Sequence, residues 1–195
     1  WLIDPFNVII SNGANAGSQN NSNTFNPSQN DSIINVGTLQ TALDKNNVTV
    51  TTAGSGTQEG NITVADAVTW SKNTDLTLSA HNNIYINADI TASHNNAGLN
   101  LEYGLANVKQ DNQSDYYLAK GVKVNLQAGD NFTTKRGSDG STIPYTVITD
   151  LGKAGSTTGK DLQGINGNLT KNYVLGADID ANATSTWNTG LGFKP

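Results

Sequence analysis

The sequence predicts an all-β solenoid, a parallel β-helix with loop excursions, because a pattern of short strands recurs along it. Leu76–Ile90 can be laid over Val124–Thr134 without a gap, at an offset of 48 positions. A looser copy lies upstream, where Val48–Val50 and Asn61–Val64 repeat the first stretch with an insertion between them. A strand pair that recurs and cannot bury its apolar face alone indicates stacked coils. Half the offset, about two dozen residues, fits one coil of three short strands.

The composition suits a narrow solenoid. Charged residues make up only 14% of the chain, and Asn, Thr and Ser dominate the polar positions. Asn tolerates the left-handed backbone angles of tight corners, and Thr is a β-branched strand former. The 20 Gly supply further corners, and with only 4 Pro the strand ladders are rarely interrupted. The 35% apolar content would be thin for a globular core but is enough for stacked coils.

Charge and residue usage argue against several other classes of protein. The net charge is −5, with 11 Lys and Arg, so the clustered basic surface that nucleic-acid binding requires is not expected. No apolar run approaches the ~20 residues of a membrane helix, and we expect no membrane insertion. The chain has no Cys to form disulfides, and no cofactor is expected. Because it also lacks Met and a signal segment, we expect a piece of a longer protein.

Residues 1–47 are predicted to lead into the coils. Trp1–Ile10 is apolar with two turn signals, and Ser11–Asp31 is almost wholly Asn, Ser, Gly and Gln. The second stretch cannot bury apolar surface, which predicts a loop or a disordered excursion. The apolar residues of Ile33–Leu43 have helical spacing, which favours a short helix near residues 38–44 that caps an open end of the stack. A strand followed by a turn fits this stretch equally well.

Residues 48–150 are predicted to form the coils of the β-helix. Their short strands place two apolar side chains around one polar residue, which is the pattern of a half-buried strand. Three polar stretches are expected to leave the coils as loops: Thr52–Gly60, Lys109–Lys120 and Arg136–Ser141. Residues 151–195 are expected to add further coils. Among the large aromatic residues, we expect Trp1, Trp70 and Phe132 to be buried.

Three stretches of the sequence resemble the exoproteins of bacterial two-partner secretion: WLIDPFNVII, LTLSAHNNIYINADITAS and DLQGIN…NYVLGADIDA…W…GFKP. The similarity is closest to the filamentous-haemagglutinin-like and high-molecular-weight adhesins of Gram-negative bacteria. It implies a right-handed parallel β-helix, export through a partner β-barrel in the outer membrane, and display at the outer cell surface. The Asn-Pro-Asn-Gly and Asn-Pro-Asn-Leu type motifs of that family's secretion domain do not occur. We therefore expect a downstream segment, whose tail begins a Gly-Leu-Gly and aromatic repeat cut short at Pro195.

Ligand contact is expected in the loop excursions, through exposed aromatic side chains beside amides. An aromatic ring supplies contact area, and a neighbouring amide supplies direction. The candidates are Tyr116 and Tyr117 beside Asn112, Gln113 and Asp115, and Trp187 beside Asn188. The alternative is that these aromatic side chains fold back over the coils and cover a bare edge.

A polysaccharide-active lyase or hydrolase is the alternative function, because enzymes also use this fold. Glycoside hydrolysis needs two carboxylates that face one groove. Asp178 and Asp180 would share a face if they lay on a strand, and Asp66 and Asp89 are further candidates. The first pair belongs to the adhesin-like ADIDA stretch, which is typical of a strand end with acids in solvent. We therefore do not expect an enzyme.

No metal site is expected either. Asp178 and Asp180, or the surroundings of Asp139, could offer oxygen ligands to calcium. The Gly-Gly-x-Gly-x-Asp nonapeptide of calcium-loaded β-rolls is absent, which favours acids that are simply solvated at corners. His81 and His94 have no Cys beside them, so zinc is not expected, and we expect both to be exposed corner residues.

Six asparagines begin Asn-x-Ser/Thr triplets, the acceptor pattern for N-glycosylation: Asn47, Asn61, Asn112, Asn131, Asn168 and Asn182. Many such triplets arise by chance in an Asn- and Thr-rich chain. The resemblance to adhesins, some of which are glycosylated at such sites, implies that modification can occur here.

The sequence thus predicts a structural and adhesive segment of a secreted exoprotein, whose partners would be a host-cell glycan or protein. A third alternative is ice binding, because Thr-x-Thr pairs occur at Thr49/Thr51 and Thr184/Thr186. An ice-binding face needs such pairs aligned in every coil, and these two do not follow the repeat.

Overall fold

The computed structural model of the chain describes residues 5–193, which are mostly β with few helices. The strands, in chain order, are β1 (Val8–Ser11), β2 (Ser18–Asn21), β3 (Thr24–Pro27), β4 (Ser32–Asn35), β5 (Val48–Thr51), β6 (Ile62–Val64), β7 (Val68–Trp70), β8 (Leu76–Ser79), β9 (Ile84–Ile86), β10 (Ile90–Ala92), β11 (Leu99–Tyr103), β12 (Tyr116–Leu118), β13 (Val124–Asn125), β14 (Gly129–Arg136), β15 (Ile143–Ile148) and β16 (Tyr173–Leu175). One α-helix, α1 (Val36–Leu43), and 3-10 segments at Gln163–Gly167 and Asn182–Gly190 accompany them. Among these residues, no helix has the length and apolar character that crossing a membrane requires.

The strands form three sheets, and their pairing is parallel through the middle of the chain. Sheet 1 has the order β12-β9-β6-β1-β4, sheet 2 the order β13-β10-β7, and sheet 3 the order β16-β15-β14-β11-β8-β5-β3-β2. From β5 to β14, consecutive strands enter sheets 3, 1 and 2 in rotation. Each strand from β5 to β11 therefore pairs in parallel with the strand three places along. The predicted all-β class is confirmed.

Equivalent apolar side chains of successive strands stack in rows to form the core. In sheet 3, Leu78 pairs in register with Val50 on one side and Leu101 on the other, and all three are at most 1% exposed. The expected alternation of inward apolar and outward polar residues is confirmed. Burial of each such side chain contributes roughly 1.5–3 kcal/mol. Of the aromatic residues expected in the core, Trp70 and Phe132 are buried, and Trp1 lies outside the described residues.

The predicted alignment at an offset of 48 positions is wrong. Val124 pairs with Ile90 in sheet 2, whereas Leu76 pairs with Leu99 in sheet 3, so the aligned strands belong to different sheets. The round of three strands from Leu76 to Leu99, here called a coil, spans 23 residues, but the coil from Leu99 to Phe132 spans 33. The extra length is a loop inserted between β11 and β12. This loop moves the following strands to later sequence positions, so a constant offset no longer matches strands of the same sheet.

The looser upstream copy is confirmed. Val48 pairs with Leu76 across 28 positions, and Ile62 pairs with Ile84 across 22 positions, as the matched residues predict. The coils between them are close to the expected two dozen residues. The insertion within the upstream copy adds only a few residues to the coil, so the matched residues remain register partners.

The polar stretch Ser11–Asp31 is not the loop that its composition predicts, because β2 and β3 form an antiparallel hairpin within it. Ser22 and Asn23 connect the strands with φ values of 51° and 67°, and two positive φ values match the twist of a two-residue hairpin turn. Phe25 is 2% exposed and anchors the hairpin in the core, where β3 pairs with β5.

The capping helix is confirmed, two residues earlier than expected, as α1. Asn35 is its N-cap, where the side-chain oxygen accepts a hydrogen bond from the Thr38 N–H at 3.2 Å. Val36, Leu39 and Leu43 are buried on the face that packs against β4, β5 and β7. The helix therefore covers the apolar end of the stack beside the first coil.

A row of polar side chains, here called the corner row, lines the turn before the strands of sheet 1. It consists of Asn7, Asn61, Asn83 and Asp115. Each Asn side-chain oxygen accepts a hydrogen bond from the backbone N–H of the next member, at 2.9, 3.0 and 2.9 Å. These bonds satisfy backbone donors at the corner and hold successive coils in the same register.

Candidate ligand-binding surface

Two tyrosines stack on the outer face of sheet 1. Tyr85 in β9 and Tyr117 in β12 are register partners, and their ring centroids lie 5.5 Å apart with an interplanar angle of 17°. Asn83 donates a hydrogen bond from Nδ2 to the Tyr85 hydroxyl at 3.1 Å, which fixes the inner ring from the corner row. Tyr117 is 47% exposed, and β12 is the edge strand of the sheet. The result is a supported aromatic ring at the surface.

The expectation that Tyr116 and Tyr117 lie together on a loop is wrong, because β12 begins at Tyr116. Strand alternation turns Tyr116 inward, where its ring packs against Tyr103 at 5.6 Å and Phe132 at 6.4 Å. Burial raises the pKa of Tyr116 above its ordinary value. The alternative that the aromatic side chains fold back over the coils is correct for Tyr116, which is partly buried against the core, and Tyr117 is the more exposed ring of the pair.

Two further candidate residues position the loop after β11. Asn112 is 4% exposed, and its Nδ2 donates to the Gly104 carbonyl at 2.7 Å while its Oδ1 accepts from the Ser114 N–H at 3.0 Å. Gly104 has a φ of +67°, and a Cβ there would lie 2.6 Å from the Asn112 amide. Asp115 belongs to the corner row, and its Oδ1 accepts from the Tyr116 N–H at 2.9 Å. Both side chains are therefore used to shape the loop.

A polar pocket of about 520 Å³ lies between this loop and the corner row. It is lined by Asn82, Asn83, Asn107, Val108, Gln110, Asp111, Asn112, Gln113 and Ser114. Asn83 lines this pocket and also donates to the Tyr85 hydroxyl, so one side chain is shared by the pocket and the tyrosine pair. The side chains of Asn107, Gln110 and Asp111 are exposed and make no hydrogen bond within residues 5–193. Of this set, the sequence predicts only Asn112 and Gln113, because these are the amides nearest the two tyrosines along the chain. Asn82 and Asn83 come from a separate corner of the chain.

Trp187 and Asn188 lie in the 3-10 segment near the end of the described range. The Trp187 ring stacks on Phe193 at 6.4 Å with an interplanar angle of 25°, and Asn188 donates from Nδ2 to the Gly192 carbonyl at 2.7 Å. Within residues 5–193, no ring contact or hydrogen bond links this pair to the tyrosines of sheet 1. Thr184 and Thr186 lie in the same segment and not on a strand, so they do not form an ice-binding face with the β5 threonines.

The candidate carboxylates serve local structure. Asp178 and Asp180 are not on a strand, because β16 ends at Leu175, and Asp178 instead forms an exposed ion pair with Lys123. Asp180 accepts a hydrogen bond from the Asn182 N–H at 2.9 Å. The other two candidates accept backbone N–H groups at 2.8 Å, Asp66 from Asn12 and Asp89 from Lys123. Within residues 5–193, no three His, Asp or Glu side chains come together as a metal site.

His81 is buried, at 8% exposure, and is not the exposed corner residue that the sequence predicts. Its Nδ1 lies 2.9 Å from the Thr52 hydroxyl oxygen, which also accepts the His81 backbone N–H at 2.9 Å. The Thr52 hydroxyl thus contacts both the backbone N–H and the ring of His81. Burial lowers the pKa of His81 below its ordinary value.

This burial predicts a loss of stability in mild acid. The unfolded chain takes up a proton at His81 near its ordinary pKa of 6.5, whereas the folded chain does so only at lower pH. The contribution to stability is therefore complete above pH 6.5 and declines as the pH falls toward the folded pKa. Urea unfolding at a series of pH values should show this decline in the wild type and a smaller one in His81→Gln. His94→Gln is the control and should retain the wild-type slope; an unchanged slope in His81→Gln would contradict the assignment.

The six triplet asparagines differ in whether the side-chain nitrogen is engaged. Nδ2 donates a hydrogen bond in Asn61, Asn112 and Asn131. In Asn47, Asn168 and Asn182, which are exposed, Nδ2 makes no hydrogen bond within the described part of the chain.

Because the sugar is attached at that nitrogen, we expect a glycosyltransferase acting on the folded protein to modify Asn47, Asn168 and Asn182 and to spare the other three. Peptide mass spectrometry would measure occupancy at each site, with urea-unfolded protein as the control in which the difference disappears. Equal occupancy at Asn112 and Asn168 in the folded protein would refute the prediction.

Comparison with known proteins yields little. No family model and no solved structure matches the chain significantly. A stretch of 38 residues is 58% identical to halomucin of Haloquadratum walsbyi, and it covers 18% of this chain and, to the nearest percent, 0% of halomucin. The chain thus spans a negligible share of the length of that relative.

Proposed function

We propose that the chain is a structural and adhesive segment of a large secreted exoprotein, built as a right-handed parallel β-helix. The rotation of β5 to β14 through three sheets, with parallel pairing three strands along, supports the β-helix. Such a stack is a rigid rod in which each coil contacts mainly its neighbours. The rod would carry binding surfaces away from the cell that displays it.

The stacked pair Tyr85–Tyr117 beside an amide-lined pocket is the observation that carries the adhesive role. Aromatic side chains supply large contact area at low entropic cost, and exposed aromatic residues are enriched where proteins bind ligands. The Tyr117 ring is already held by stacking on Tyr85, so its binding to a ligand would cost little side-chain conformational entropy. The ligand would be a host-cell surface glycan or protein.

The proposal includes an export route and a location, which rest on the resemblance to two-partner-secretion adhesins. The parent protein would pass through a partner β-barrel of the outer membrane and remain at the outer surface of a Gram-negative bacterium. Binding, and not catalysis, is the proposed activity. The local structural roles of Asp66, Asp89, Asp178 and Asp180 support this choice over a polysaccharide-active enzyme.

Binding of the purified chain to cultured host cells tests the adhesive role. We expect saturable binding that falls about tenfold in Tyr117→Ala, since truncation of a central aromatic contact typically costs about 1–2 kcal/mol. Thr63→Ala, at the register position of Tyr85 on β6, is the control and should bind as the wild type does. Absence of saturable binding to any host cell type, or release of sugar products from added polysaccharides, would overturn the proposal.

A further inference from the structure

The pocket beside Tyr117 has a chemistry that discriminates between classes of sugar. From its lining we infer that this surface binds uncharged sugar rings and rejects acidic ones such as sialylated or sulfated glycans. The inference rests on the proposed adhesive function, and it names the ligand class of the same site. Three features of the surface carry it: an open aromatic face, unpaired amides and a carboxylate without a basic neighbour in the lining.

The aromatic face is the first feature. Tyr117 lies at the end of the row of sheet 1, with Tyr85 stacked on one side of its ring. Within residues 5–193, no other aromatic ring contacts it. A pyranose ring has an apolar face of C–H groups and a rim of hydroxyls, so its apolar face suits an exposed tyrosine ring.

The amides are the second feature. Asn107 and Gln110 line the pocket with side chains that make no hydrogen bond within the described residues. Each amide offers two donors and a carbonyl acceptor, and a sugar hydroxyl can both donate and accept. A pocket of about 520 Å³ lies within the usual size of small-ligand sites. The amides thus provide direction for hydroxyls at the rim of a ring that rests on Tyr117.

The charge is the third feature. Asp111 lines the pocket, and no Lys or Arg does. Glu59 adds negative charge close by, because its Oε2 accepts from Asn82 Nδ2 at 3.3 Å. Like charges repel, so a carboxylate or sulfate group on the sugar is disfavoured next to Asp111 and Glu59. Discrimination by repulsion is an established route to specificity.

Matched glycan pairs test the inference. Lactose and N-acetyllactosamine, each with its sialylated counterpart, would be titrated into the wild-type chain by saturation-transfer NMR. We expect the neutral member of at least one pair to bind at least about tenfold more tightly than the acidic member. Tyr117→Ala should lose about tenfold in affinity for the neutral sugar, while Tyr117→Phe, which keeps the ring face, should stay within about threefold.

Asp111→Asn removes the charge with little disturbance, because Asn also tolerates the Asp111 φ of 60°. We expect this variant to bind the sialylated sugar more tightly than the wild type does, with Glu59 accounting for the discrimination that is left. Equal binding of both classes by the wild type, preference for the acidic sugar, or no binding of any neutral glycan would overturn the inference. Saturable cell binding that persists in any of these cases would leave the adhesive role intact, so the two failures can be told apart.

Discussion

Replacing Leu78 by alanine should lower the free energy of unfolding by about 2–5 kcal/mol. Leu78 is fully buried, and its row neighbours Val50 and Leu101 are fixed on adjacent strands. Because strands hydrogen-bonded on both sides cannot move into the space, the cavity left by the missing atoms stays open. Urea unfolding followed by circular dichroism should show a lower midpoint for this variant.

Thr49→Ala is the matched control for the core prediction. Thr49 lies at an outward position on β5, where it pairs in register with Thr77 on β8. Its substitution should cost less than about 1 kcal/mol, the range of strand propensity. If Leu78→Ala cost no more than this control, the row of stacked side chains would not be the source of stability.

Replacing Asn83 by alanine should cost about 1–3 kcal/mol, because the Asp115 N–H at the corner loses its acceptor. The same change removes the hydrogen bond to the Tyr85 hydroxyl, so the ring pair should become more mobile. Urea unfolding measures the first effect, and the breadth of the Tyr85 and Tyr117 ring signals in NMR measures the second.

Asn83→Asp separates the role of the acceptor from that of the side chain as a whole. A carboxylate at this position can still accept from the Asp115 N–H, as Asp75 accepts from the Gly98 N–H at 2.8 Å at the turn before the strands of sheet 3. We expect less than half the loss of Asn83→Ala. Equal losses in the two variants would show that the corner row does not act through its acceptor oxygens.

The extent to which the sequence predicts this fold depends on the regularity of the coils. Where coils are close in length, as from Ile62 to Ile84, matching residues are register partners. After Tyr103 a loop lengthens the coil. The period-two pattern of short strands is the same in all three sheets, so the sequence alignment matches strands that belong to different sheets. The antiparallel pairing of β14 with β15 had no sequence signal, since alternation is the same in both directions.

The candidate site was predictable in part. The expected exposure of Tyr117 is found at 47%, although this residue lies on strand β12 and not on the loop that the sequence predicts. The sequence could not assign the faces, because a shift of one residue in the start of β12 exchanges Tyr116 and Tyr117 between core and solvent. Tyr85 was missed because it lies 32 positions away and meets Tyr117 only through strand pairing.

The helix α1 closes one end of the stack, while β12 and β13 are edge strands at the other. Under tension, the end at β12 and β13 should therefore give way before the end that α1 covers. A coil of 22 residues, once pulled loose, would lengthen by roughly 75 Å. A stack of such coils would yield in small steps and absorb mechanical work as each coil unravels.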